Sequence, residues 1–248
     1  MLVREAKWFA QQIQQLGDEA LFPMLNLGSH TEEFRCREQP WIDRYIFAPI
    51  RQRGQKVVHL DLREAPGVDL VGDLTEPAFL QTVSQMRFRS LICSNLLEHV
   101  PNPGEIAAAA VAAIEPGGYL LVSCPRNFPY HPDPLDTLFR PDVNELSGLF
   151  PGTEQVSGLL LPSGTLTSYF WAKATADPAA LIRNLWRRKT QAIASTEAGL
   201  SAWAWLPWLF RTFYQTCVVL RKTTQSCAIN FWGTGFSGNL SIGFSSLI

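Results

Sequence analysis

The chain has 248 residues, 46% of them hydrophobic, and its 21 Lys and Arg residues nearly balance 22 Asp and Glu residues. This length and apolar content supply a substantial buried core and exclude a largely disordered chain. The formal charge of -1 creates no overall field that would attract nucleic acid, so we expect no nucleic-acid partner.

The first half of the chain alternates helix-like and strand-like segments. Apolar residues at helical spacing over residues 2–20 predict an amphipathic helix that ends near Gly17. An apolar strand predicted at residues 21–27 then runs directly into Gly28. Beyond it we predict a helical face (Trp41, Tyr45, Ile46, Ile50), strands at residues 56–62, 68–71, 90–93 and 119–124, helices at residues 77–85 and 106–114, and a turn at Pro116-Gly117-Gly118.

The second half is less regular. Prolines recur through an aromatic loop that begins at Pro125, and loops of this length are usually functional. After the loop we predict helices at residues 142–149 and 179–189 and strands at residues 159–161, 166–172 and 216–220. Strands alternating with helices predict a mostly parallel sheet covered on both faces. We therefore predict one α/β domain over residues 1–222, with a core at residues 21–150, additions at 151–222, and an uncharged tail at 223–248 whose composition is typical of disorder.

Small or polar residues follow each predicted strand. In an open α/β sheet, ligands bind beyond the carboxyl ends of the strands, where the strand order reverses. Because parallel strands end at the same edge, we expect Gly28, Asp61, Asp73 and Asn95 to converge on one crevice.

Five sequence pieces resemble class I S-adenosylmethionine-dependent methyltransferases. They are LNLGSH at residues 25–30, VVHLDL at 57–62, VGDLTE at 71–76, ICSNLLEHVPNP at 92–103 and IEPGGYLLVSCP at 114–125. Their order and spacing carry the resemblance, which extends over about half of the chain. The resemblance implies a Rossmann-like, doubly wound fold, S-adenosylmethionine as the cofactor, and methyl transfer to a small-molecule or glycan-like acceptor.

The resemblance also implies roles for the strand-end residues. Gly28 would let the backbone approach the methionine moiety, and Asp61 would accept hydrogen bonds from the ribose hydroxyls. Asp73 would bind the adenine amino group, and Leu74 would pack on the adenine ring. Asn95 and the next residue would line the reactive end of the cofactor. The expected cofactor-binding set is Asn26, Gly28, Ser29, Asp61, Leu62, Asp73, Leu74, Asn95 and Leu96.

The sequence does not identify a catalytic residue. Methyl transfer from a sulfonium depends mainly on positioning an in-line nucleophile, so a general base is optional. Glu98 and His99 have the chemistry of an acid/base pair, but we favour a structural role for them in the pocket floor. Arg126 and His131, in the proline-rich loop, are the candidate acceptor contacts. No metal site is predicted.

Two other functions stay open at this point. Gly28 stands alone where such enzymes commonly carry two or three glycines. This departure motivates an alternative, a catalytically degenerate methyltransferase-like interaction module. An NAD-dependent dehydrogenase is disfavoured because the G-x-G-x-x-G pattern is absent.

Location and partners are only weakly constrained. The Trp-rich segment at residues 198–210 (AGLSAWAWLPWLF) is too short to span a bilayer. It suits packing on the domain or on a second subunit better than peripheral contact with a membrane. The five cysteines include no Cys-x-x-Cys pair, and charges at Arg4, Glu5 and Lys7 interrupt any signal-peptide core. We therefore expect reduced thiols and a cytoplasmic location.

Overall fold

The computed structural model describes residues 1–131, 134–176 and 211–224, which build a seven-stranded sheet. The strands are β1 (Met24–Leu27), β2 (Val57–Asp61), β3 (Leu70–Val71), β4 (Phe88–Ser94), β5 (Ile114–Pro125), β6 (Thr153–Gly164) and β7 (Phe213–Lys222). Their order across the sheet is β3-β2-β1-β4-β5-β7-β6. β1 to β5 are parallel, whereas β7 runs antiparallel to both neighbours. The strand order therefore reverses between β1 and β4, where ligands bind in such sheets.

Helices cover both faces of the sheet. They are α1 (Val3–Leu16), α2 (Asp18–Leu21), α3 (Ala48–Gln52), α4 (Pro77–Ser84), α5 (Pro103–Ala112), α6 (Val143–Gly148) and α7 (Leu166–Ala176), with π-helical turns at Phe34–Glu38 and Asp43–Phe47 and a 3-10 turn at Leu97–His99. α1, α2 and α3 pack on one face, and α4, α5 and α6 pack on the other. The predicted Rossmann-like, doubly wound and mostly parallel sheet is confirmed.

Alternating side chains explain the two cores. Successive residues of a strand point to opposite faces of the sheet. In β4, Leu91 and Cys93 join the core beneath α5, whereas Ile92 joins the core beneath α1. Phe9 of α1 and Ile46 are both fully buried in this second core. The apolar runs of the central strands therefore follow from burial on both sides.

The Pro-Gly-Gly segment lies inside β5, not before it as predicted. β5 begins at Ile114, and its pairing with β4 shifts register between Phe88 and Ser90. A Cβ atom on Gly118 would lie 2.5 Å from the backbone oxygen of Arg89. Only glycine fits this close approach of the two strands, so the predicted turn is a local irregularity of a longer strand.

Two predicted strands need correction. β1 begins at Met24, not at residue 21, because Leu21 ends α2 and Pro23 has no amide hydrogen for the sheet. Residues 166–172, predicted as a strand, lie in α7. At its start, Thr165 N donates to Ser168 Oγ (2.8 Å) and Ser168 N donates to Thr165 Oγ1 (3.2 Å). This reciprocal pair satisfies free N–H groups and favours a helix there.

Some predictions concern residues that the structure does not describe. The predicted helix at residues 179–189, the Trp-rich segment at 198–210 and nearly all of the tail at 223–248 lie outside the described residues. Within the described ranges, no helix is long and apolar enough to cross a membrane. The described cysteines, Cys36, Cys93, Cys124 and Cys217, are free thiols.

Candidate functional site

The predicted strand-end residues lie along the carboxyl edge of the sheet, the edge formed by the carboxyl ends of β1 to β5. The strand order brings four ends of adjacent strands together: Asp61 ends β2, Gly28 and Asn95 directly follow β1 and β4, and Asp73 lies two residues after β3. The amide N–H of Gly72 donates to the carbonyl of Asp61 (3.1 Å), which ties the loops after β2 and β3 together. The structure thus brings these four positions to one edge.

Gly28 occupies the tight turn after β1. Its φ is +69°, and a Cβ atom there would lie 3.0 Å from Leu96 Cδ1. Glycine adopts this left-handed conformation without the steric cost that other residues incur. The next residue, Ser29, is 4% exposed and donates its amide N–H to the carbonyl of Leu60 (3.0 Å). The first loop therefore passes close to the ends of both β2 and β4.

Asp61 presents a partly exposed carboxylate at this crevice. Asp61 Oδ2 accepts the amide N–H of His30 (2.8 Å), and Oδ1 accepts the amide N–H of Arg63 (3.2 Å). Each carboxylate oxygen has a second lone pair, so Asp61 can accept further hydrogen bonds from a bound hydroxyl. Leu62, which follows, is 65% exposed and provides an apolar surface beside the carboxylate.

Three other expected cofactor contacts are engaged elsewhere in the protein. Asn26 lies within β1, and its amide nitrogen is 3.0 Å from His59 Nδ1. Asp73 Oδ1 accepts both the amide N–H (2.9 Å) and the hydroxyl (2.7 Å) of Thr75. Leu74 is 2% exposed and packs in the main core. Of the two leucines expected to contact the cofactor at this part of the edge, Leu62 is exposed and Leu74 is buried.

Arg35 holds the first loop in place and was not anticipated from the sequence. His30 has a φ of +55°, and its ring stacks on Phe34 with centroids 4.1 Å apart. The buried Arg35 guanidinium donates to the carbonyls of Ser29 (2.9 Å), His30 (2.6 Å) and Gly67 (2.7 Å). Burial lowers the pKa of Arg35. The Arg35 side chain therefore holds the first loop in place through hydrogen bonds to three backbone carbonyls.

Glu5 is a second residue that the sequence analysis missed. Its side chain is completely buried. Glu5 Oε1 accepts hydrogen bonds from Asn95 Nδ2 (2.7 Å), Ser123 Oγ (2.6 Å) and Ser94 Oγ (3.2 Å), and Oε2 accepts the amide N–H of Leu2 (2.9 Å). α1 is thereby fastened to the ends of β4 and β5. The sequence signal was an acidic residue on the apolar stripe of an amphipathic helix.

Glu98, His99 and His131 form a cluster at the same edge. Each offers one ligand-type atom, and these atoms all lie within 4.8 Å of one another. Glu98 is fully buried, and burial raises the pKa of its carboxyl group to about 7. His99 Nε2 lies 3.7 Å from Glu98 Oε1, and the ring centroids of the two histidines are 5.1 Å apart. His131, which we expected to contact an acceptor, therefore lies next to Glu98 and His99, which we expected to have a structural role in the pocket floor.

Asp136 contacts His131 of this cluster and is paired with Arg140. Asp136 Oδ2 lies 3.1 Å from His131 Nδ1 and 2.7 Å from an Arg140 nitrogen. Burial opposes ionisation of Asp136, but hydrogen bonds from Arg140 and from the amides of His131 and Leu138 outweigh it and lower the pKa to about 2. Asp136 is therefore an anion that fixes the orientation of the His131 ring.

Two further features of the structure are an exposed arginine on the loop after β5 and a cleft beside α1. The exposed Arg126 donates from its side chain to the carbonyl of Arg140. A cleft of about 520 Å³ lies between the start of α1 and α7, beyond the end of β6. Its polar lining consists of Arg4, Lys7, Ser163, Thr165, Ser168 and Thr212.

Comparisons with known proteins identify the fold. No protein-family model matches the sequence, and no curated protein is significantly similar to it. The structure is similar to the 4+2 cyclase SpnF, with a TM-score of 0.56 and 13% identity, covering 90% of this chain and 82% of SpnF. It is also similar to a protein assigned as a sarcosine dimethylglycine methyltransferase from Galdieria sulphuraria, with a TM-score of 0.52 and 12% identity, covering 90% of this chain and 86% of that one.

The chain therefore has the fold of class I S-adenosylmethionine-dependent methyltransferases. The names of the two neighbours denote different reactions, a cyclisation and a methyl transfer. A fold hosts function but does not define it. The reaction must therefore be argued from the site.

Proposed function

We propose that the protein is an S-adenosylmethionine-dependent methyltransferase that acts on a small-molecule or glycan-like acceptor. The observation that carries this proposal is the juxtaposition of Gly28, Asp61 and Asn95 at the point where the strand order reverses. Gly28 offers a close backbone approach, Asp61 a hydroxyl acceptor and Asn95 a polar amide, and Gly28 lies between the other two along the edge. This combination suits a ligand with a sugar and a charged amino-acid moiety.

The residues fit the cofactor in three respects. Asp61 retains lone pairs for the ribose hydroxyls beyond the two amide contacts that it already makes. The exposed Leu62 would lose contact with water against the adenine ring. Gly28 adds no side chain of its own to the crevice, whereas a Cβ atom there would lie 3.0 Å from Leu96 Cδ1, so the backbone is the part of this turn that a methionine moiety would approach.

The bound cofactor would supply a methyl group activated on a sulfonium. The chain would contribute orientation, because methyl transfer needs an in-line approach more than it needs a proton relay. Glu5 holds the amide of Asn95 in one position (2.7 Å), so the loop after β4 presents a fixed surface to the reacting atoms. α1 contacts this loop through Glu5.

The acceptor belongs on the α1 and α7 side. The cleft of about 520 Å³ lies within the size range of small-molecule sites, roughly 300–1,000 Å³. Most of its exposed lining is apolar, with Arg4, Lys7 and hydroxyl groups among the apolar residues, which suits an acceptor that has both apolar and polar parts. Arg126 and His131 are further candidate contacts on the loop after β5.

Calorimetry with the purified protein tests the cofactor assignment. We expect binding of S-adenosylmethionine and of its demethylated product, and an affinity at least about tenfold lower in Asp61→Asn, because the variant keeps the shape but loses the charge that strengthens hydrogen bonds. Asp18→Asn is the matched control, since Asp18 precedes β1 at the opposite edge and pairs with Arg53 (3.1 Å). Absence of binding at millimolar cofactor, or equal affinity in Asp61→Asn, would overturn the proposal.

The alternative function is a catalytically degenerate interaction module. The observation that favours it is the first loop, which carries Ser29 and His30 after Gly28 instead of further glycines and is held by hydrogen bonds from Arg35. Turnover separates the two functions. Cofactor binding that depends on Asp61, together with release of S-adenosylhomocysteine in the presence of an acceptor, excludes the degenerate module.

A further inference from the structure

We propose that Glu98, His99 and His131 bind one first-row transition-metal dication such as Zn²⁺. The three side chains come from two loops, since Glu98 and His99 follow β4 and His131 follows β5. This site is separate from the proposed cofactor crevice, and the proposal does not depend on methyl transfer.

The spacing of the three side chains suits a single ion. Their ligand-type atoms lie within 4.8 Å of one another, and His99 Nε2 is 3.7 Å from Glu98 Oε1. Two ligands ~2.1 Å from a tetrahedral Zn²⁺ lie about 3.4 Å apart. Binding therefore requires an inward movement of roughly 1 Å at the longest separation, which a rotation of the partly exposed His131 ring supplies.

Both imidazoles are oriented as metal ligands are. His99 Nδ1 contacts the carbonyl of Leu135, and His131 Nδ1 lies 2.9 Å from the carbonyl of Pro129 and 3.1 Å from Asp136 Oδ2. An acceptor at Nδ1 fixes the tautomer that leaves the Nε2 lone pair available. A carbonyl or carboxylate behind each ligating histidine is the usual outer-shell arrangement in metal sites.

Glu98 supplies an independent observation. Its side chain is fully buried, and Oε1 has no hydrogen-bond partner within the described residues. Oε2 accepts from the weak donor Cys124 Sγ (3.7 Å). An unpartnered buried carboxylate oxygen is costly. A cation bound between Oε1 and the two imidazoles removes this cost.

The donor set defines the class of metal. Two imidazoles and one carboxylate favour Zn²⁺, Co²⁺ or Fe²⁺ over Ca²⁺ and Mg²⁺, which prefer oxygen ligands alone. Three protein ligands leave at least one coordination position for water or for another donor. The Arg140 guanidinium does not neutralise Glu98 directly, because it is paired with Asp136 (2.7 Å).

Metal titration of the full chain, with any affinity tag removed and after treatment with a chelator, tests the proposal. We expect one equivalent of Co²⁺ to produce visible d–d absorption and one equivalent of Zn²⁺ to bind in calorimetry and to raise the melting temperature. Glu98→Gln and His131→Gln should each lower the affinity at least tenfold. Asp136→Asn, which acts through His131, should lower it about 10- to 100-fold.

His30→Gln is the matched control, since it removes an exposed imidazole from another loop. It should leave the stoichiometry and affinity unchanged. Circular dichroism of each variant identifies any that fail to fold, and the conclusion is then taken from the other variants. No binding to the wild-type chain, equal affinity in His131→Gln, or a thiolate-to-Co²⁺ charge-transfer band that indicates cysteine ligands would overturn the proposal. Failure here leaves the cofactor measurements unaffected, because no cofactor is added.

Discussion

The two halves of the carboxyl edge differ in whether their carboxylate side chains are exposed or buried. In the cofactor half, formed by the loops after β1, β2 and β3, Asp61 is partly exposed and accepts only backbone N–H groups, and Leu62 is 65% exposed. In the buried-carboxylate half, formed by the loops after β4 and β5 together with α1, Glu5 and Glu98 are both fully buried. The first half keeps its groups available to a ligand, whereas the second uses them to hold the scaffold or, as proposed, an ion.

The largest expected effect is the loss of stability when a buried carboxylate is removed, compared with the loss when an exposed one is removed. Glu5→Ala leaves the side chains of Asn95, Ser94 and Ser123 and one amide without their acceptor, so we expect a loss of about 4 kcal/mol in the free energy of unfolding. Asp61→Ala removes only solvent-accessible contacts and should cost less than about 1 kcal/mol. Denaturant unfolding of both variants measures the difference. Equal losses in the free energy of unfolding of the two variants would contradict this difference between the halves.

A second test uses the pH dependence of stability that arises from His59, which lies within β2, the strand that ends at Asp61. Burial, and to a smaller extent the Arg35 guanidinium, lowers the pKa of His59 from 6.5 to about 4, although Asp69 opposes the shift. The unfolded chain therefore binds a proton between these pH values that the folded chain does not. The free energy of unfolding must fall as the pH decreases from about 6.5 to 4, by about 3 kcal/mol, and change no further through this group below that.

Chemical unfolding at a series of pH values measures this loss. His59→Gln removes the titrating ring, so its stability should depend less on pH over the same interval. A wild-type profile that is flat between pH 6.5 and 4 would contradict the expected contribution of His59.

The smallest expected effect compares two glycines. Gly28 and Gly54 have similar φ values, +69° and +74°, but a Cβ on Gly28 would meet Leu96 at 3.0 Å whereas Gly54 has nothing within 4 Å. Both alanine variants should lose about 1 kcal/mol to backbone strain. Gly28→Ala should lose roughly a further 1 kcal/mol by displacing Leu96, and it alone should weaken cofactor binding. Calorimetry and unfolding curves for the pair measure both effects.

Much of the fold was predictable because its signals are local. Apolar runs such as residues 90–93 and 119–124, each followed by polar or small residues, indicate buried parallel strands, and the corresponding strands are β4 and β5. Residues 166–172 were misassigned because their apolar content suits either state, and the exchange of hydrogen bonds between Thr165 and Ser168 decides it. The apolar pattern used to predict strands carries no information about such a side-chain hydrogen bond.

The site was predictable only where residues follow strands. Gly28 and Asp61 could be placed because strand ends meet at one edge. Glu5 and Arg35 could not, since each lies in a helical segment and acts on loops distant in sequence. The cluster of Glu98, His99 and His131 required the packing of two loops, which no spacing in the sequence reveals.

The loop after β4 carries Asn95, which faces α1, and Glu98, which belongs to the histidine cluster. Only a single 3-10 turn, Leu97–His99, follows Asn95 and Leu96 within this loop. Glu98 and Asn95 therefore share one short backbone segment, so any backbone movement at Glu98 on cation binding would also reach Asn95. Thermodynamic linkage then makes the two ligands reciprocal, so that the factor by which a cation alters cofactor affinity equals the factor by which the cofactor alters cation affinity.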